Sequence, residues 1–182
     1  DDNSDFEDIG TFRITGAWTV SEAGTRLRES FGTGQKAPTF SERFGFYPDQ
    51  FEGNPDLEPE ESRGWELGLD QPLGDGRLRL GATYFRQDLR NEINGFVFDP
   101  DVGEFGGFTA ENLSGKSRRR GVELTADAEP ARDLLLRASY TYTDSRQPDA
   151  TSGALQREIR RPRHSGSLNA AYTFAGGRVT AD

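Results

Sequence analysis

Four aromatic residues, Phe44, Phe46, Tyr47 and Phe51, stand close together in a stretch rich in Gly, Pro and acid. On an exposed loop such rings offer flat apolar faces, which suit a planar or amphipathic ligand. The same rings could equally pack on one another as the loop's own core. Two basic clusters follow, Arg118-Arg119-Arg120 and Arg157, Arg160, Arg161 and Arg163. Guanidinium groups pair with phosphate or carboxylate in bidentate fashion, so Arg157 and Arg160 are candidate contacts for an anionic ligand. Cross-strand pairing with neighbouring acids is their competing use. Asp99, Asp101 and Glu104 supply hard oxygen ligands of the kind calcium takes, although without EF-hand spacing.

Enzymatic chemistry finds no foothold. Cysteine is absent, which removes disulfides, thiolate catalysis and zinc–thiolate sites. His164 is the single histidine and has no metal-spaced partner or nucleophile elbow beside it. The formal net charge of -9 disfavours nucleic acid as a partner. That charge gathers in DDNSDFED at the start and in the loop acids Glu42, Asp49, Glu52, Asp56, Glu58, Glu60 and Glu61.

The elements that must position these residues follow one period. In LLLRASYTYT (134–143), Leu134, Leu136, Ala138, Tyr140 and Tyr142 share one face, and Leu135, Arg137, Ser139, Thr141 and Thr143 lie on the other. The same alternation runs through FRITGAWTV from Phe12, GWELGLD from Gly64, RLRLGATY from Arg77, GVELTADA from Gly121 and SLNAAYTF from Ser167. A period of two is the strand period. Between these strands, short links (SEAG, LGDG, EPARD, AGG) take turns with long polar ones near 37–61, 99–107 and 145–156. Successive antiparallel strands leave the sheet at opposite ends, so the long links must collect at one end. Within the first long link, Thr39 or Ser41 could cap a helical turn through Arg43.

Apolar residues make up only 32% of 182 residues, yet 13 Phe, 5 Tyr and 2 Trp sit in regular places. A soluble sandwich would turn the apolar faces inward, whereas a transmembrane barrel turns them to lipid and keeps a wet, charged interior. The segments 77–98 and 108–128 read as strands long enough to cross a bilayer with residues to spare, which favours the barrel. Glu29 departs from the pattern, because it shares the apolar face of Leu27 and Phe31. A position near a boundary, or a bulge that turns it inward, would relieve this.

KAPTFSERFG followed by GNPDLEPEESRGWELGL (Gly53–Leu69) resembles the barrel signature of TonB-dependent outer-membrane receptors. DDNSDF, ENLSGKSRRRGVELTADAEP, SYTYTDSR and RRPRHSGSLNAAYTF follow in that family's order. The layout is most similar to the cobalamin receptor branch. The resemblance implies an all-β fold: an antiparallel up-and-down meander of about eight strands, within a transmembrane barrel of about 22. Residues 1–182 are then a partial barrel domain, with the plug, the TonB box and the remaining strands outside it. It implies the outer membrane of a Gram-negative bacterium and TonB-driven uptake of a scarce bulky nutrient. Cobalamin is the first expectation and a ferric siderophore the second. Outer-membrane lipid, the phosphates of lipopolysaccharide, and TonB acting through the plug are the implied partners. A non-transporting β-sheet binding module, soluble or surface-attached, is the expectation of another class.

Overall fold

A computed structural model describes residues 10–47, 49–149 and 152–174, with the backbone alone of 179–181. The acidic opening 1–8, Pro48 and the AGG turn at 175–177 lie outside the described residues.

The chain folds into β1 (Arg13–Thr19), β2 (Arg26–Lys36), a short helix α1 (Phe40–Phe44), β3 (Glu60–Leu73), β4 (Leu78–Arg90), β5 (Ile93–Asp99), β6 (Gly107–Asn112), β7 (Lys116–Ala131), β8 (Leu134–Pro148), β9 (Leu155–Arg157), β10 (His164–Phe174) and β11 (Val179–Ala181). Its main sheet is an antiparallel meander in the order β1-β2-β3-β4-β7-β8-β10-β11, with β9 paired to β8, and β5-β6 forming a separate hairpin. The strands β3, β4, β7 and β8 run to 14, 13, 16 and 15 residues. A tilted strand crosses a bilayer in about 9–11 residues, so each of these overshoots it.

Register aligns the apolar positions into continuous rows across the strands. Leu27 faces Leu69, then Ala82, Leu124 and Tyr140. One row on, Leu80 meets Ala126, Ala138 and Leu168, and the next holds Leu78, Ala128 and Leu136. Among the described residues nothing covers this face: Leu67 is 53% exposed and Leu168 is 75% exposed. A contiguous bare apolar surface of this extent is incompatible with a solvated sandwich and is what acyl chains cover. The opposite face is polar, with Arg28 paired to Asp70 at 2.7 Å and reaching Thr83 at 3.2 Å. Among the described residues β1 and β11 end the strand order, each with one edge unpaired, a state that hydrocarbon does not tolerate.

Short turns close one end. Gly74, Asp75 and Gly76 all take positive φ (57°, 56° and 87°), the left-handed conformations that make LGDG a tight reversal. At the other end the run 77–98 is not one strand. Asn91 enters the left-handed region (φ 52°) and ends β4, so β5 peels away from the sheet. Asn tolerates that region through its short polar side chain. The run from Phe108 divides likewise at Leu113–Gly115, between β6 and β7.

Glu29 stays on the apolar face. It stands between Gly16 and Leu67 in an unbroken register, and no bulge turns it inward. Among the described residues the buried apolar side chains are Phe51, Leu57, Leu89, Val102, Ala110 and Leu113. They gather at the elaborated end.

Candidate functional site

The elaborated end is built from the connections 37–59, 91–115 and 149–163. In the first, Thr39 caps α1: its hydroxyl accepts from the Glu42 N–H at 3.3 Å, while the Glu42 carboxylate accepts from the Thr39 N–H at 2.7 Å. This reciprocal pair satisfies two amides that the helix start leaves open. Gly45 (φ 75°) ends the helix and turns the chain back toward Gly53. A Cβ at Gly53 would lie 2.2 Å from the Gly45 nitrogen and 2.3 Å from the Phe44 nitrogen, so only glycine fits.

Asn54 then pins the loop to its neighbour. Its backbone N–H donates to the Glu42 carbonyl at 2.9 Å, its side-chain amide donates to the Ala110 carbonyl at 3.0 Å, and its Oδ1 accepts from the Asp56 N–H at 3.0 Å. Turn chemistry alone accounts for this stretch in the sequence, yet its glycine and asparagine also fasten one loop to another. The docking extends along both segments. Glu52 N–H donates to the Phe108 carbonyl (3.0 Å), Phe108 N–H to the Gln50 carbonyl (2.9 Å), and Asn112 exchanges hydrogen bonds with the backbone of Glu58. Beneath them Phe51, Leu57 and Ala110 form a small core, with Ile93 against it.

The sequence-selected aromatics divide between two roles. Phe51 is 6% exposed and belongs to that core, with Phe46 stacked on it at 4.7 Å and Phe96 edge-on at 5.8 Å. Phe44, Phe46 and Tyr47 remain exposed. All four border an open recess of about 560 Å³, walled on its far side by Val102 and Gly103. The hairpin contributes aromatics that sequence reasoning did not select. Phe96 and Phe98 both meet Phe108 edge-on at about 6 Å, and Phe105 stands 89% exposed. The available signal was a concentration of Phe among Gly and Asp from 96 to 108, hidden by reading its first part as a continuous strand.

The basic residues separate. Arg157 lies on β9 opposite Arg146 and donates to the Arg161 carbonyl at 3.3 Å. Arg160 is exposed in the same connection at φ 63°. Both therefore sit on the third connection and not on the loops that wall the recess. In Arg118-Arg119-Arg120, strand alternation sends the middle residue to the polar face and its neighbours to the other. Arg119 forks onto Glu158 with two 3.0 Å bonds and reaches Glu92 at 2.5 Å. The Ser145 hydroxyl and Arg161 also donate to Glu158, and the Ser117 hydroxyl donates to Glu92. Burial works to raise the Glu158 pKa, but the donors Arg119, Ser145 and Arg161 outweigh it and hold the carboxyl below its ordinary 4.5. This network ties the second connection to the third.

Asp99 and Asp101 form a local turn, with the Asp101 N–H donating to the Asp99 carboxylate at 2.9 Å. Among the described residues no group of acids or histidines is gathered for a metal ion, and Glu104 is not brought into one with these two. His164 shares a 2.7 Å hydrogen bond with the Tyr140 hydroxyl on the apolar face, a contact between neighbouring strands.

A bare apolar band, a charged opposite face and interlocked loops at one rim describe a membrane barrel with a worked outer end. The family model for the TonB dependent receptor-like β-barrel matches residues 1–181. The chain belongs to that family. Family members are β-barrel proteins of the Gram-negative outer membrane, so the apolar rows of this sheet face lipid. Solved structures with the same fold include the hemophore receptor HasR of Serratia marcescens (TM-score 0.70, 20% identity, 93% of this chain and 30% of that one). The copper transporter OprC follows with TM-score 0.67, 19% identity, and 90% of this chain against 24% of that one. The siderophore receptor PirA of Pseudomonas aeruginosa has TM-score 0.64 and 20% identity, over 92% of this chain and 31% of that one. The chain thus spans less than a third of the length of these relatives.

Proposed function

We propose that this barrel segment carries part of the outer binding surface of a TonB-dependent transport receptor whose cargo is a bulky metal chelate. The observation that carries the reading is the recess bordered by Phe44, Phe46, Tyr47 and Phe51, held open by two loops bonded to each other at the elaborated rim. Long loops of outer-membrane barrels face outward, so this recess meets cargo before the lumen does. Exposed aromatic faces on a fixed frame bind large, partly planar molecules at low ordering cost. Arg157 and Arg160, at the same rim, would add charge for an anionic cargo. Energy coupling would run from TonB through a plug in the lumen, and the polar face carrying Arg28 and Asp70 would surround that plug.

Between the two cargo classes, the relatives' names support a ferric siderophore ahead of cobalamin, which the sequence layout places first. HasR is named a hemophore receptor and is solved with its hemophore and heme, OprC is named a copper transporter and PirA a siderophore receptor. Deletion of the gene in its host separates the readings. Lost growth on limiting iron supplied as ferric siderophore, with normal growth on limiting cobalamin, supports the siderophore. The reverse pattern supports cobalamin, and normal growth on both removes transport of either. A soluble binding module is opposed by the uncovered Leu67 and Leu168, which water would have to hydrate.

A further inference from the structure

One dipeptide in the β5–β6 hairpin has a chemistry of its own. Asn94 is the one asparagine in the chain with glycine directly after it. The backbone nitrogen that follows an asparagine can attack the side-chain carboxamide at Cγ, and glycine leaves that approach open because it has no Cβ. The other described asparagines are held away from this reaction. Asn54 precedes Pro55, whose nitrogen carries no hydrogen. The side-chain amides of Asn91 and Asn112 donate to Glu58, and Asn169 lies inside the β8–β10 ladder.

Three features meet at Asn94. The β5–β6 register slips between Asn94 and Val97, so Gly95 and Phe96 together face Ala110 and stand outside the paired ladder. The Phe96 N–H donates to Asn94 Oδ1 at 3.3 Å, the atom on which attack at Cγ would build negative charge. The Glu42 carboxylate stands alongside. Its Oε2 is held by the Thr39 N–H and hydroxyl at 2.7 and 2.9 Å, which leaves Oε1 facing Gly95, 3.9 Å from where a Cβ there would be. Apart from chain neighbours and Glu42, nothing among the described residues comes within 4 Å of that point, so the ring that the attack closes has room.

We propose that Asn94 is a self-deamidating site, with Glu42 as its base and the Phe96 N–H as its oxyanion donor. Glu42 takes the proton from the Gly95 nitrogen, directly or through one water, as that nitrogen bonds to Asn94 Cγ. The Cγ–Nδ2 bond then breaks, and the nitrogen leaves as ammonia with the proton that Glu42 returns. Water opens the resulting succinimide at either carbonyl, giving aspartate or isoaspartate. Both products bear on the docking of the two loops. Ala110, the residue opposite the bulge, accepts the Asn54 amide at 3.0 Å, and Phe96 packs edge-on against Phe51 and Phe108. Isoaspartate lengthens the main chain by one methylene at this bulge, and either product adds a negative charge next to Gly95, where Glu42 already stands. Conversion therefore loosens the hairpin from the 37–59 connection, whichever cargo the recess takes.

The test incubates the whole receptor in detergent at neutral pH and maps its peptides by mass spectrometry, with isoaspartyl methyltransferase labelling of the fragment that holds residue 94. The amide-to-acid mass change is expected at Asn94 and not at Asn112, and faster in the folded receptor than in the same chain held in urea. Glu42→Gln keeps the helix cap, because glutamine serves there as well, and should slow conversion on the order of a hundredfold. Its residual rate should rise in direct proportion to hydroxide, whereas that of the unaltered receptor should rise less steeply. Gly95→Ala, whose methyl would make only an ordinary contact with Glu42, should remove the mass change over the same interval. Asn94→Asp stands in for one product and should speed proteolysis within 37–59. A stable amide at position 94, faster conversion in urea than in the folded state, an unchanged rate in Glu42→Gln, or unchanged proteolysis of Asn94→Asp would each overturn the proposal.

Discussion

The membrane-crossing sheet and the loop cap on its rim solve opposite problems with the same residue types. In the sheet, Leu67, Leu80 and Leu168 point outward and the polar Arg28 and Asp70 point inward. In the cap, Phe51, Leu57 and Ala110 turn inward to a core, and the acids Asp49, Glu52, Asp56 and Glu58 face water. The sheet needs only hydrophobicity and register, because lipid fills any gap against its surface. The cap folds in water, so it must supply its own packing and satisfy its own backbone. Single residues are therefore replaceable in one region and not in the other.

The largest separation between the regions is expected from charge placed in the band. Leu168→Arg puts a guanidinium midway between the Tyr142–His164 pair and Tyr172 on the lipid face. A cost of about 2–4 kcal/mol applies near the bilayer midplane. It should appear as a lower unfolding midpoint in urea for receptor in vesicles, with cargo affinity intact once the barrel is folded. An unchanged midpoint would mean that this face does not meet acyl chains.

Gly53→Ala should do the converse. The added methyl meets the backbone of α1 and Gly45 and must push the two segments apart, at about 1–3 kcal/mol. Because the cap is fastened by bonds that cross from loop to loop, the expectation is faster proteolysis within 37–59 and weaker cargo binding, with the barrel's own unfolding unmoved. Equal loss in both readouts would show that cap and sheet fold as one unit.

These two positions also show what was legible in the sequence. Leu168 could be placed because strand alternation is local: its face follows from its neighbours in SLNAAYTF, and the meander follows from turn chemistry. The Thr39–Glu42 cap was legible for the same reason. Gly53 reads as a turn glycine, since nothing near it in the chain reveals that Gly45 lies against it. Asn54 looks equally local, although its amide reaches Ala110, 56 positions away. The hairpin β5–β6 was missed because Asn91 breaks β4 with a left-handed conformation that a period-two pattern does not encode. Arg118-Arg119-Arg120 reads as one basic cluster, but a strand divides it, sending Arg119 to Glu158 and its neighbours to the lipid side.

That division yields a pH-dependent difference between the regions. The Glu158 pKa is lower in the folded protein than its ordinary 4.5. Its contribution is therefore fully present above about pH 4.5 and is lost as pH falls through the lowered folded value. Acid should loosen the tie between the second and third connections while the sheet stays intact, seen as amide exchange rising at 149 and 152–163 before it rises in β7 or β8. Glu158→Gln should show that faster exchange already at neutral pH, and a flat pH profile in the unaltered protein would remove Glu158 as the latch.

The smallest expected effect has the opposite sign and concerns the one acid that breaks the sheet's rule. Glu29 faces lipid between Gly16 and Leu67, where its row in the sheet is otherwise Tyr84, Val122 and Tyr142. A carboxylate costs less than a guanidinium there, and less again toward Phe31 and Trp65, one residue pair outward. Glu29→Leu should thus stabilise the barrel by about 1 kcal/mol, because it extends the band that Leu27 and Phe31 already form. The gain should show in urea unfolding in vesicles. If the substitution destabilises instead, Glu29 has a partner on a strand beyond β1, and the acid belongs to an interface within the barrel.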